Sequence, residues 1–121
     1  MSRLFRSFGY AFQGISYALR TQANLRIHFV ISIATIVAGL WLQISPIEWA
    51  LIIVTIMIVL SAELFNTALE AAIDRASPEH HPLAKVAKDT AAGAVLISAI
   101  GAVIVGLVIF GPKLLTLIGW R

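Results

Sequence analysis

The sequence predicts an all-α membrane protein: an N-terminal amphipathic surface helix followed by three transmembrane helices. Three observations carry that expectation. Hydrophobic residues make up 60% of the 121 positions and charged residues only 12%, far from the mix of a soluble globular domain. The apolar residues gather into blocks without a single charge, at 29–47, 49–62 and 90–112. The charges that remain fall between those blocks, so carboxylates and lysines are delivered at the ends of hydrophobic segments. A span needs roughly 20 apolar residues, about 30 Å at about 1.5 Å each. The first and third blocks meet that length directly, and the middle one borrows from a helix that continues past Glu63. The length fits one domain, 1–121.

Along 1–28 the chain reads as a surface helix and a connector. Leu4, Phe5, Phe8, Ala11, Phe12, Ile15 and Leu19 share one arc, with Arg3, Arg6, Tyr10, Gln13, Tyr17 and Arg20 opposite. That is the pattern of a helix lying in a membrane interface, its apolar side down. Thr21 to His28 forms a polar connector. Its Gln22, Asn24, Arg26 and His28 either meet a headgroup or phosphate or serve as ordinary interfacial anchors. The first span covers 29–45. Trp41 marks its outer edge, and Gln43-Ile-Ser-Pro46 turns the chain. The second span covers 47–75, with Trp49 as its belt residue. Ala76-Ser-Pro-Glu-His-His-Pro82 then makes a loop. The third covers 83–111 and is expected to stop at Gly111-Pro112. Within it Ala94, Ser98, Ala102 and Gly106 recur every fourth residue, a stripe suited to close packing of membrane helices.

Composition narrows the function. With no cysteine there is neither a disulfide framework nor a cysteine-based zinc or redox site. The first apolar block begins only at Phe29 and is long, so it is expected to stay as a membrane helix rather than act as a cleavable signal. The net charge of +3 is spread without a nucleic-acid-binding stripe. Anionic lipid headgroups are the expected partners of the arginines, and nucleic acid is not. Basic residues lie before the first span (Arg3, Arg6, Arg20, Arg26) and after the second (Arg75, Lys85, Lys88), with none in the 42–48 turn. The positive-inside rule therefore puts the N-terminus and the 75–89 loop in the cytoplasm, facing nucleotide.

All the acidic residues except Glu48 fall between 62 and 89. On a helix, Glu63, Asn66, Glu70 and Asp74 occupy about an 80° arc of one face. Lys85, Lys88 and Asp89 form a second single-faced group on the next helix. A carboxylate at the edge of a bilayer is expensive, which makes it a functional candidate. Glu63 directly follows LIIVTIMIVLSA, is the deepest acid, and is suited to accept a proton from a substrate. Glu70, still on that face, is placed to stay ionised and hold a hard cation through oxygen. Lys88 can neutralise a phosphate. Each has a plainer reading: an interhelical hydrogen bond for Glu63, a solvated face for Glu70 and Asp74, snorkelling anchors for Lys85 and Lys88. All three plain readings holding together, on facing helix ends, is the less economical account. His80 and His81 are adjacent in a loop with no third nitrogen ligand near in sequence, so no zinc site is expected. The chain also lacks a Walker loop and a protein-kinase catalytic loop.

The stretch AELFNTALEAAIDR at 62–75, followed by HPLAKVAKDTAAGAV at 81–95, resembles the prokaryotic integral-membrane lipid kinases, called diacylglycerol kinase or undecaprenol kinase. The resemblance covers almost the whole chain. The second motif, with PKL at 112–114, looks closer to the undecaprenol kinase branch. It implies a homotrimer with composite active sites in the bacterial cytoplasmic membrane. It also implies MgATP as phosphoryl donor and a lipid alcohol as acceptor. Undecaprenol is the first expectation, diacylglycerol the second, and a non-enzymatic membrane assembly or channel protein the alternative of another class. By the same resemblance Glu63 is the catalytic base, and Glu70 is a Mg²⁺ ligand that also meets ATP, with Asn66 beside it and Asp74 in support. Lys88 and Asp89 belong to the ATP-phosphate region, and Glu79, His80 and His81 to the nucleotide-facing loop. Arg3 and Tyr10 become nucleotide contacts from the surface helix. Gln22 stands where the family commonly has a glutamate that ligates metal and meets ATP. Its amide oxygen can still coordinate Mg²⁺ but brings no charge.

Overall fold

The computed structural model describes residues 2–119, and those residues form four helices in the order α1 (Ser2–Thr21), α2 (Ala23–Leu42), α3 (Pro46–Ala76) and α4 (Pro82–Leu117). Three of them, α2, α3 and α4, are long and apolar enough to cross a membrane. The all-helical class with an amphipathic first helix is therefore as expected. On α1 the apolar side remains largely exposed, Leu4, Phe5, Phe8 and Phe12 included, while Ala18 is buried. An apolar face left uncovered beside three spans is suited to a bilayer surface.

The connector expected over 21–28 contracts to one residue. Gln22 alone leaves the helix, with φ −113° and ψ 108°, and α2 starts at Ala23. Local hydrogen bonds explain the economy. Gln22 N–H still donates to the Ala18 carbonyl at 2.8 Å, and Arg26 N–H donates to the Gln22 carbonyl at 3.3 Å. Arg26 Nη1 then donates to the carbonyls of Leu19 and Arg20, each at 3.0 Å. One guanidinium thus caps the last turn of α1, whose carbonyls have no helical partners of their own.

The turn between α2 and α3 is as compact. Gln43 takes a left-handed conformation (φ 52°) at the end of α2. Ser45 opens α3 with a capping box: its Oγ accepts from Glu48 N–H at 3.2 Å, and Glu48 Oε1 accepts from Ser45 N–H at 2.9 Å. Pro46 fits the first turn because its missing N–H would have no partner there. Gly39 is the glycine whose missing side chain matters, since a Cβ there would lie 2.8 Å from Trp49 Cη2 and 3.1 Å from Ile44 Cδ1. Any larger residue there would overpack the junction, at about 1–3 kcal/mol.

One expectation for the last helix is corrected. α4 does not stop at Gly111-Pro112 but runs on to Leu117 with Pro112 inside it. Proline forfeits its own N–H bond and crowds the carbonyl four residues back, yet the helix continues, and the added turn brings Lys113 Nζ to 3.2 Å from Glu48 Oε1, tying the end of α4 to the start of α3. Within one chain, two residues of the small-residue stripe remain open rather than packed. A Cβ on Gly106 would meet nothing within 4 Å, and Ala102 and Gly106 border an apolar cavity of about 230 Å³. Ile44, Ile52 and Ile109 form a small buried cluster at the opposite end of α3 from Glu63, Glu70 and Asp74.

Candidate functional site

Helix length sets the depth of each acid. At about 1.5 Å per residue, Glu63 lies about 26 Å along α3 from Pro46, close to the far edge of an apolar layer about 30 Å thick. Glu70 and Asp74, at about 36 and 42 Å, lie beyond that layer. One helix face therefore carries a carboxylate from the membrane edge into water.

Glu63 is 3% exposed, and among the described residues it is the buried charged group. Its Oε1 has no hydrogen bond. His28 Nε2, from α2, approaches that oxygen at 3.2 Å but off the line a hydrogen bond requires. A turn further on, Asn66 Nδ2 faces Glu70 Oε1 at 3.5 Å, leaving Asn66 Oδ1 buried without a partner. Thr67, also buried, satisfies its hydroxyl on the Glu63 carbonyl at 2.9 Å. The face drawn from sequence is thus real, and it holds two unbonded acceptor oxygens. Such groups cost about 1–3 kcal/mol each when left unpaired.

Beyond Glu70 lies a separate, more polar recess of about 190 Å³ between the end of α3, the 77–81 loop and the start of α4. Asp74, Glu79, His80, His81, Lys88 and Asp89 all border it. Lys88 Nζ pairs with Asp74 across the two helices, and Lys85 pairs with Asp89 one turn away at 2.6 Å. His81 Nδ1 accepts from Leu83 N–H at 3.1 Å and so caps α4, with Pro82 in its first turn.

Other sequence candidates are not joined to this group. The Gln22 side chain bonds, among the described residues, only to its neighbour, Nε2 to Thr21 Oγ1 at 3.4 Å. Arg3 and Tyr10 are exposed on α1, with no side-chain hydrogen bond or ion pair to the acidic face among the described residues. No three His, Asp or Glu side chains converge there on a point that could hold a metal. Glu70 and Asn66 carry hard oxygens of the kind Mg²⁺ accepts, although here Asn66 turns its amide nitrogen rather than its oxygen towards Glu70. Sequence reading did not pair His28 with Glu63. The signal available was its polarity at the entrance of the first span, shared with three neighbours.

The membrane-side cavity is lined by His28, Ser32, Thr35 and Thr55 among apolar neighbours. Each hydroxyl is spent on its own helix: Ser32 on the His28 carbonyl (2.7 Å), Thr35 on Ile31 (2.8 Å) and Thr55 on Leu51 (2.6 Å). No polar track crosses the bundle through them. A buried carboxylate at the end of an apolar segment, with charged groups just beyond it, marks this end of the bundle as the candidate site. The chain belongs to the prokaryotic diacylglycerol kinase family, whose pattern it matches over residues 9–110. It is similar to the undecaprenol kinase of Bacillus subtilis, at 44% identity over 94% of this chain and 93% of that one. It is 48% identical to a diacylglycerol kinase of Synechocystis over 92% of this chain, spanning only 64% of that longer relative. The diacylglycerol kinase of Escherichia coli K12 is 36% identical over 85% of this chain and 84% of its own length.

Proposed function

We propose that this chain transfers the γ-phosphoryl group of ATP to the hydroxyl of a membrane lipid alcohol, with undecaprenol as the acceptor. The observation that carries the reading is the buried, unbonded oxygen of Glu63 at the apolar edge of a face that continues to Asn66, Glu70 and Asp74. Identity to an undecaprenol kinase along nearly the full length of both chains supports the choice of acceptor. The Synechocystis match keeps diacylglycerol as the second substrate.

Phosphoryl transfer asks a protein mostly to position two reactants and neutralise charge. In this reading Glu63 takes the proton of the lipid hydroxyl, and its apolar surroundings exclude water that would compete as acceptor. Lys88 neutralises phosphate once ATP displaces it from Asp74. Glu79, His80, His81 and Asp89 shape the recess for the nucleotide, and Arg3 and Tyr10 close over it from the surface helix. Glu70 and Asn66, with Gln22 as a weaker donor, would hold Mg²⁺ together with phosphate oxygens, since Mg²⁺ is commonly bound by one or two carboxylates plus substrate phosphates. When bound, the ion supplies charge stabilisation at the transferring phosphoryl group. The arginines before α2 and the basic 75–89 segment support a cytoplasmic position for this face. The large apolar area that α4 exposes, including Ile97, Ile104 and Val108, supports a homotrimer in which neighbours complete each site. ATP turnover that depends on added undecaprenol tests the reading. Turnover with no lipid dependence would overturn it.

A further inference from the structure

A carboxylate buried to the extent of Glu63 needs a donor to remain ionised and fixed in place. The neighbouring side chains do not supply one. Thr67 donates to the Glu63 backbone carbonyl, and Asn66 turns its amide nitrogen towards Glu70. The other charge that bears on Glu63 is Glu70, of like sign, which makes a donor more necessary. Among the described residues one side-chain nitrogen approaches the buried carboxylate: His28 Nε2, at 3.2 Å from Oε1. His28 comes from a different helix and is 23% exposed. Its ring also lines the membrane-side cavity, whereas Glu63 does not. The imidazole therefore stands between the apolar interior and the carboxylate. The ring itself has only to turn to convert a close, off-line contact into a hydrogen bond. Contacts of that kind commonly tighten when substrate binds.

Resting on the lipid-kinase reading, we infer that His28 is the positioning residue for Glu63, donating Nε2–H to Oε1 so that Oε2 is presented to the lipid hydroxyl. The hydroxyl O–H bond breaks and its proton passes to Glu63 Oε2. The alcohol oxygen forms a bond to the γ-phosphorus, and the bond from that phosphorus to the bridging oxygen breaks, its electron pair leaving on ADP. His28 neither gains nor loses a proton in this step. It sets which carboxylate oxygen is available and keeps it ionised, as the orienting partner of a base does in other enzymes.

The test uses the full chain reconstituted in bilayers with undecaprenol and ATP. His28→Leu is expected to lower kcat by about 10- to 100-fold, the scale of a lost hydrogen bond to a charged group, with KM for ATP unchanged. His28→Asn, polar but too short to reach, should behave alike. His28→Gln, whose amide N–H spans a similar distance, should recover most of the rate. In the Glu63→Gln background, His28→Leu should cost the residual rate nothing further, because the base it serves is gone. Wild-type kcat in both His28→Leu and His28→Asn would overturn the assignment. So would an equal loss in all three single variants, or the same fold-loss with and without Glu63, since either marks a merely structural role. Failure of the wild-type chain to phosphorylate any lipid alcohol is a different result and strikes the kinase reading itself.

Discussion

Replacing Glu63 by glutamine isolates the chemistry of the proposed base from its packing. The amide keeps the length and shape of the carboxylate at a site only 3% exposed, so the helix contacts around it are preserved. It cannot accept the hydroxyl proton. Burial leaves no bulk water at hand to substitute, and the next carboxylate on the face, Glu70, is about 10 Å further along the helix. The expected loss is that of a general base, about 100- to 10,000-fold in kcat. ATP affinity should hardly change, because Asp74, which pairs with Lys88 of α4, lies about 16 Å along α3 from Glu63. Turnover is read by ADP release from reconstituted protein at saturating lipid alcohol. Nucleotide binding and helix content are measured on the same sample. A mutant that folds, binds ATP and turns over within a few-fold of wild type would remove Glu63 from the mechanism.

Two further outcomes follow from the same geometry. Gln22→Glu adds a negative oxygen without changing side-chain length, so half-maximal activity should fall at a lower Mg²⁺ concentration. A raised KM for ATP with no shift in Mg²⁺ would mean that the new carboxylate repels phosphate instead, and two unmoved curves would take Gln22 away from the metal. Orientation is accessible because the chain has no cysteine of its own. Ile47→Cys should react with an impermeant thiol reagent from outside intact cells, and Ser77→Cys only after permeabilisation. The reverse labelling would turn the acidic face away from cytoplasmic ATP.

Features written locally in the chain were legible before the structure. The helices of the spans follow from uninterrupted apolar runs. The acids on α3 follow from a spacing that puts positions 63, 66, 70 and 74 on one face whatever surrounds them. Places where the sequence reading fell short involve residues distant in sequence or single bonds that override a local signal. Arg26 reaches back to the carbonyls of Leu19 and Arg20 and shortens the connector to Gln22. Pro112 reads as a stop, yet α4 continues and Lys113 meets Glu48 across the bundle. Gly39 was unremarked beside the regular stripe on α4, but it is Gly39 that admits the Trp49 ring. The approach of His28 to Glu63 joins two helices, and no period in either one encodes it.

The measurement closest to the centre of this account is phosphoryl transfer by the purified chain in bilayers, with undecaprenol and diacylglycerol supplied in parallel. A membrane lipid kinase with an undecaprenol preference predicts ADP release only when a lipid alcohol is present. It also predicts ³²P from γ-labelled ATP recovered in the lipid phase, with the higher kcat/KM for undecaprenol. A preference for diacylglycerol would move the chain to the second substrate. Nucleotide hydrolysis indifferent to both lipids, or no transfer of label to either, would contradict the account.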